Sequence, residues 1–391
     1  MRLNGNSMQE KTLCLCNSNR IWGGGEKWHL EAAIAMAGRG ARVLVAAGEG
    51  GMLLEKARDL PQVTAVPVRF SSLDFLNPFA IRSFAAILQE RRVTRLILGL
   101  PVDVKVGGIS GKIAGVPGVF YRRGSALPVR NTLLNRMLYS VTLTGLIVNS
   151  QETKRLVLLH NPGLMPQERI HLLPNGIDSE SFDADLASSS PEFRRASDPS
   201  PFWIIGNAGR LTEQKGQKYL LHMMADLVRT GFPCRLVLAG EGRLEEFLKR
   251  LAGELGLAEH VVFAGFRERL GPFWQSIDMF VSTSIWEGFG YVLAEAMLAE
   301  KPLLAFDVSS MPELVASGRN GELLPFPAAH ESDSAVGARL AASVRKLAAD
   351  PEQCRNFGRE GRKISLERHS QKAAMDALYA LLWPEGSCHM A

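Results

Sequence analysis

The chain has 391 residues, 46% hydrophobic and 22% charged, so it exceeds the roughly 100 to 200 residues that one core usually serves and two domains are expected. No apolar run reaches the roughly 18 residues of a membrane span, and the opening "MRLNGNSMQEK" lacks the apolar core of a secretory signal, which predicts a cytoplasmic protein. The net charge of +5 is uneven: residues 1–180 carry 22 Lys/Arg against 13 Asp/Glu (+9), and residues 181–391 carry 23 against 27 (−4).

The first expected strand is "TLCLCNS", in which Cys14 and Cys16 fall on one face. They read as small buried residues, because no second Cys/His pair stands near them to complete a metal site. Cys234 and Cys354 are scattered, and Cys388 sits in a closing "EGSCHMA" that reads as a frayed tail. A glycine turn, "WGGGEKWHL", follows the strand and opens a helix expected over Glu26–Arg39. Glu26, Lys27 and Trp28 break the Gly-x-Gly-x-x-Gly dinucleotide pattern. Gly24 in this turn could pass close under a phosphate or sugar, or serve only a tight turn.

"ARVLVAAG", "VTAVPVRF", "TRLILGLP", "GVFYRR" and "GLIVNS" continue as strands, with helices expected over Pro78–Arg92 and Asn131–Ser140. Strands apolar on both faces that alternate with helices imply a parallel sheet covered on each side. Within this half no Asp or Glu occurs from Val104 to Gln151, whereas Lys105, Lys112, Arg122, Arg123, Arg130 and Arg136 do. Such a block suggests an anionic partner, such as a phosphorylated acceptor or a membrane surface, unless it is only a solvated face. Nucleic acid is disfavoured, since only Phe120 and Tyr121 interleave with the charges as stacking aromatics.

Asn175-Gly176 signals a turn, and the Ser/Asp/Pro-rich stretch to Ser200 reads as a linker or an excursion at a domain boundary. The pattern then restarts with "FWIIGNAG", "CRLVLAG", "HVVFAG", "DMFVSTS" and "KPLLAF". Helices are expected over Lys218–Arg229, Leu244–Leu255, Phe289–Ala299 and Met311–Ser317, with a helical tail from Asp333 to Trp383. Two doubly wound domains facing across a cleft are the economical architecture, and ligands of such sheets bind beyond the strands' carboxyl ends.

At those ends stand Arg210 and Lys215, a guanidinium fork and an ammonium point charge that can converge on a diphosphate. In "SIWEGFGYVLAEAM" Gly288 and Gly290 let the backbone approach a ligand, and the helix start near Phe289, Gly290 and Tyr291 offers N–H groups to an anion. Glu287 on the loop and Glu295 in the helix would accept from hydroxyls on either side of that anion. A polyol ring on each side of a diphosphate describes a nucleotide sugar.

"GGGE", "PNGID", "GRLTEQKG", "LVLAGEG", "VVFAGF", "EGFGYVLAEAM" and "MPELVASGRNGELL", in this order, resemble the retaining glycosyltransferases of family four, often called group 1. The resemblance runs from about Leu13 to Trp383 and implies the α/β GT-B fold of two facing Rossmann-like domains. It divides the chain into an acceptor-binding domain (1–180), a linker (181–200), a nucleotide-sugar domain (201–365) and a helix (366–384) that packs back on the first domain. It also implies that Arg210 and Lys215 hold the donor diphosphate, that Glu287 contacts the donor sugar, and that Glu295 contacts the ribose. The base would lie against Gly265–Arg267. Where such enzymes often carry a histidine touching the donor sugar, this chain has Arg122 and Arg123. Arg122 is therefore expected either to contact a sugar, phosphate or charged acceptor, or to form a buried structural ion pair.

The expected activity is metal-independent, retaining transfer from a nucleotide-diphosphate sugar, UDP-sugar favoured, with no cofactor. The cations and the helix start stabilise the leaving group. The lone Asp-x-Asp, Asp183-Ala184-Asp185, falls in the expected linker rather than at a strand end. The acid-free block favours an anionic or lipid-linked envelope glycan as acceptor, of lipopolysaccharide-core type, reached by peripheral contact of the basic domain with the inner membrane face. The alternatives are a soluble small-molecule acceptor, a non-transferring nucleotide-sugar-binding protein and a GT-B-like epimerase.

Overall fold

The computed structural model describes residues 10–384, so the expectations for the first nine residues and for the closing "EGSCHMA" lie outside the described residues. The chain forms two compact units, one from the residues up to Asn175 together with those from Ala373 on, the other from Gly176–Lys372.

The first unit is built on seven strands: β1 (Thr12–Asn17), β2 (Arg42–Gly48), β3 (Val63–Val68), β4 (Arg95–Leu98), β5 (Gly118–Arg123), β6 (Gly145–Val148) and β7 (Ile170–Leu172). All pair in parallel, in the order β3-β2-β1-β4-β5-β6-β7. β1 lies inside the sheet, between β2 and β4, and its two-residue period makes both of its faces apolar. Leu13 and Leu15 enter one apolar layer while Cys14 and Cys16 enter the other. Burial pushes the Cys14 thiol up to about 12, so it is an inert core group. The last helix, Gln371–Leu382, sends Met375, Leu378 and Leu382 into the layer that holds Leu13 and Leu15, and Lys11 Nζ donates to Tyr379 Oη at 2.6 Å.

The helix Pro101–Ile113 is absent from the sequence expectations because Gly107, Gly108 and Gly111 lower its intrinsic propensity. Packing overrides propensity here. A Cβ on Gly107 would lie 2.5 Å from Leu98 Cδ2, and one on Gly108 would lie 2.7 Å from Thr142 Oγ1. The small residues let the helix sit tight on the sheet and on its neighbours. Among the described residues no helix is long and apolar enough to cross a membrane.

The second unit repeats the architecture with β8 (Trp203–Ala208), β9 (Cys234–Ala239), β10 (Val261–Gly265), β11 (Met279–Ser282), β12 (Leu303–Asp307) and β13 (Gly321–Pro325). Their order is β10-β9-β8-β11-β12-β13, again all parallel. Helices Gln217–Arg229 and Asp333–Ala348 cover one face through Leu220, Leu221, Met224, Val336, Leu340 and Val344. Leu293, Ala294 and Met297 of helix Tyr291–Leu298 cover the other, with Phe273 and Trp274.

The Ser/Asp/Pro-rich stretch read as a linker is in fact packed. It starts within a helix, Ser179–Ala187, capped by the Asp178 side chain accepting from Ser181 N at 3.1 Å. Phe182 and Leu186, four apart, pack against the core that holds Trp274. Farther on, Glu192 N donates to Ser276 Oγ at 2.8 Å. Two apolar residues at helical spacing, joined by Phe193 and by ion pairs from Asp183 and Asp185, hold a segment that composition alone marks as loop.

Candidate active site

In both sheets the strand order reverses once, between β1 and β4 and between β8 and β11, and the crevice beyond the carboxyl ends at such a point is where open parallel sheets take ligands. In the second unit the two loops at this point carry Arg210, Lys215 and Glu287. Gly209 and Gly216 bound the first loop with φ of +147° and +62°. A Cβ on Gly216 would lie 2.3 Å from the Thr283 carbonyl oxygen, so the backbones of the two loops meet there. Thr283 Oγ1 lies 3.1 Å and 3.0 Å from the carbonyl oxygens of Lys215 and Gly216, donating to this pair. Ile285 N donates to Gln214 O at 2.7 Å and Gln214 Nε2 to Trp286 O at 3.0 Å, which closes the tie. Gly216→Ala is therefore expected to lower stability by at least about 1 kcal/mol, through left-handed backbone and a clash that nothing flexible can relieve, visible as a lower thermal midpoint.

This tie brings Lys215 and Glu287 together. Lys215 Nζ pairs with Glu287 Oε1, both side chains being nearly buried, and Ser284 Oγ donates to the same carboxylate oxygen at 2.9 Å. The Glu287 carbonyl accepts from Ser309 Oγ at 2.7 Å and Ser310 Oγ at 2.9 Å. Arg210 is exposed beside them, its Nη2 donating to Gln214 Oε1 at 3.4 Å. The sequence reading treats cation and carboxylate as separate recognition groups, whereas the structure makes them one pair. It also missed Ser284, Ser309 and Ser310, although the two later serines lie within three residues of the end of β12 and strand-end reasoning extends to them.

The helix after the glycine loop begins at Tyr291, with Gly290 (φ +88°) as its N-cap, two residues later than expected. Phe289 lies outside it and turns into the core, its ring 5.2 Å from His369 and 5.4 Å from Tyr291. Glu295 sits mid-helix and half-buried. Gly265, at the end of β10, has φ +68°, and its carbonyl accepts from Gly240 N at 2.8 Å. Phe266 N donates to Glu241 Oε1 at 3.2 Å, and Arg267 pairs with Glu192 at 2.9 Å. Asp183 and Asp185 are engaged by arginines, Arg362 at 2.7 Å and Arg269 at 2.6 Å. Among the described residues no three His, Cys, Asp or Glu side chains group as a metal site.

In the first unit Gly24 opens the helix Gly24–Gly38. Glu26 Oε1 accepts from Asn17 and Asn19 at 3.0 Å each, which fixes the glycine turn to the end of β1. Arg122 is buried, its guanidinium 4.7 Å over the Trp28 ring and Nη2 donating to Asn175 Oδ1 at 2.8 Å. Arg123 donates to Tyr121 Oη at 3.2 Å. His29, which the sequence reading passed over, lies buried with Nδ1 2.8 Å from Gly25 O, and a Cβ on Gly99 would lie 2.7 Å from its Cε1. Asp103 accepts from Ser18 Oγ at 2.5 Å and Leu100 N at 2.9 Å, and burial pushes its carboxyl up to about 7.

These buried groups set an acid response. Burial holds His29 down to about 3 and His369 to about 4. Below about 6.5 the unfolded chain binds protons that the folded histidines refuse, so stability falls as pH drops toward 4. Asp103 acts in the opposite sense, because its raised value means that the folded state holds a proton the unfolded state loses above about 4. Asp103→Asn is expected to steepen the acid loss and His369→Gln to flatten it, as read by melting temperature from pH 7 to 4.

The Glycosyl transferases group 1 profile matches residues 189–364 and the Glycosyltransferase Family 4 profile residues 22–181. EpsD of Bacillus subtilis (strain 168), a putative glycosyltransferase, is 30% identical over 321 residues, covering 77% of this chain and 80% of EpsD. The chain belongs to the group 1 glycosyltransferases. Among solved structures this glycosyltransferase is similar to HepE from Anabaena in complex with UDP-glucose, with a TM-score of 0.78 and 20% identity over 95% of this chain and 99% of HepE. That likeness shows the GT-B fold. Over a shorter stretch, 37% of this glycosyltransferase and 42% of the relative, it is 30% identical to LpsB of Rhizobium meliloti (strain 1021), a lipopolysaccharide core biosynthesis mannosyltransferase.

Proposed function

We propose that this glycosyltransferase moves a sugar from a nucleotide-diphosphate sugar, a UDP-sugar being favoured, to a hydroxyl of an anionic or lipid-linked envelope glycan of lipopolysaccharide-core type. The transfer retains anomeric configuration and needs no metal. One observation carries the reading: Lys215 and Glu287, from two different strand-end loops, meet at the switch point of the second sheet with Arg210 beside them. A cation pair next to a hydroxyl-accepting carboxylate matches a pyrophosphate joined to a sugar. The complex of HepE with UDP-glucose supports the donor class, and LpsB supports the acceptor class.

Arg210 and Lys215 stabilise the departing diphosphate, already in place when its charge develops. Glu287 accepts hydroxyls of the donor sugar and Glu295 those of the ribose, with the base against Gly265–Arg267. The acceptor oxygen attacks the anomeric carbon on the face from which the phosphate oxygen leaves. The C–O bond to phosphate breaks, and the acceptor's proton passes to the departing oxygen. The engagement of Asp183 and Asp185 by arginines supports a reaction in which protein cations carry the charge. The anomeric configuration of the product by NMR tests the course of transfer, since inversion would remove it. Thermal shift with UDP, GDP and ADP and their sugars tests the donor, and stabilisation by UDP-sugars above the others is expected.

A further inference from the structure

Three large apolar side chains of the first unit stand in solvent at helical spacing. Leu133, Met137 and Val141 are 83%, 49% and 56% exposed, along the helix Leu133–Met137 and the π-helical turn Leu138–Thr142 that continues it. The other side of the same segment, Leu138, Tyr139 and Thr142, is buried. The segment is thus anchored by its inner face and displays an apolar stripe outward, which a single stray hydrophobe would not do. The stripe is not alone. Helix Pro101–Ile113 packs against this π-turn and also against the short turn Asp74–Leu76, where Leu73, Leu76 and Phe79 are 67%, 70% and 79% exposed.

Along the stripe itself the charges have one sign, while the neighbouring turn carries one carboxylate, Asp74, which accepts from Ser71 N at 2.7 Å. Arg130 and Arg136 are exposed along the stripe, and Lys105 and Lys112 lie on the intervening helix, with Lys105 Nζ 5.2 Å over the Phe75 ring. No Asp or Glu occurs from Val104 to Gln151. A second copy of this chain would set Arg130 and Arg136 against their own like in a symmetric contact. A soluble polyanion would use the charges and leave the apolar stripe wet. An anionic bilayer uses both, apolar side chains entering the headgroup boundary and cations meeting lipid phosphates.

We propose that Leu133, Met137 and Val141, flanked by Arg130 and Arg136, are the seat by which this glycosyltransferase docks on the surface of an anionic lipid bilayer. The proposal rests on the membrane-facing part of the functional reading and adds the surface that makes the contact. Co-sedimentation of the full chain with vesicles of phosphatidylcholine alone, and of phosphatidylcholine mixed with phosphatidylglycerol, tests it. Wild type is expected to sediment with the mixed vesicles at low salt and to be released by high salt. The triple variant Leu133→Ser/Met137→Ser/Val141→Ser should lose about tenfold in binding, as should Arg130→Gln/Arg136→Gln, with unchanged circular dichroism and UDP thermal shift showing that both fold. Equal sedimentation of the folded triple variant and wild type would overturn this seat while leaving a membrane contact elsewhere. If wild type ignores both vesicle types yet is stabilised by UDP, the seat and the membrane contact fall together and the donor assignment stands. Retention by heparin without vesicle binding would replace the bilayer by a soluble polyanion.

Discussion

Lys215→Ala is expected to lower turnover at least tenfold, about 1.4 kcal/mol of transition-state stabilisation. Two losses combine in this variant. The ammonium no longer meets the charge that develops on the departing diphosphate, and Glu287, nearly buried and bound to Lys215 Nζ, loses its ion-pair partner. Arg210→Ala should lose turnover by the first route only, because Arg210 is exposed and bonds Gln214 rather than a carboxylate. A comparison of the two variants therefore separates charge stabilisation from repair of the pair: Lys215→Ala should also lower the melting temperature, and Arg210→Ala should leave it unchanged. Near-normal turnover in both would defeat the assignment of these cations to the diphosphate.

Glu287→Ala is the second large effect, and its signature is a split. Sugar transfer should fall at least tenfold, again about 1.4 kcal/mol, while affinity for free UDP changes by less than about threefold. The carboxylate is the group expected on the sugar hydroxyls, and its removal leaves the Lys215 ammonium available to the diphosphate. Glu287→Gln is the informative partner variant. It keeps an oxygen for Ser284 Oγ and the backbone carbonyl held by Ser309 and Ser310, but carries no charge. Recovery in Glu287→Gln would assign the effect to hydrogen bonding, and failure to recover would assign it to charge. Equal losses in transfer and in UDP binding would refute the division of labour between the two loops.

The glycine requirements of the site were legible in outline only. Gly288 and Gly290 read as places where the backbone can approach a ligand, beside a helix start expected at Phe289, whereas Gly290 is the left-handed cap of a helix that begins at Tyr291. Gly216 reads, with Lys215, as the opening of the next helix, although its missing side chain is also what allows contact with the Thr283 carbonyl. A close approach between two loops leaves no mark in either one taken alone. The same holds in the first unit, where "GGGEKWH" announces a turn but not that His29 lies against Gly99 or that Trp28 underlies Arg122.

Apolar runs with both faces buried, spaced by helices, were sufficient to specify two parallel sheets, and Arg210, Lys215 and Glu287 follow two of those runs closely enough to read as strand-end residues. These are local properties, because strand period and turn chemistry act over a few residues and survive in the linear order. Pairing is not local. Lys215 and Glu287 are 72 positions apart, and only the juxtaposition of β8 and β11 makes their charges neighbours. Likewise Phe182 and Leu186 hold a serine-rich segment because the apolar surface around Trp274 is there to receive them. Leu133, Met137 and Val141 stay outside because Leu138 and Tyr139 take the only inward face. Which of several apolar or charged residues ends up buried, paired or exposed is decided by what lies opposite, and that is set when strands and helices pack into each unit.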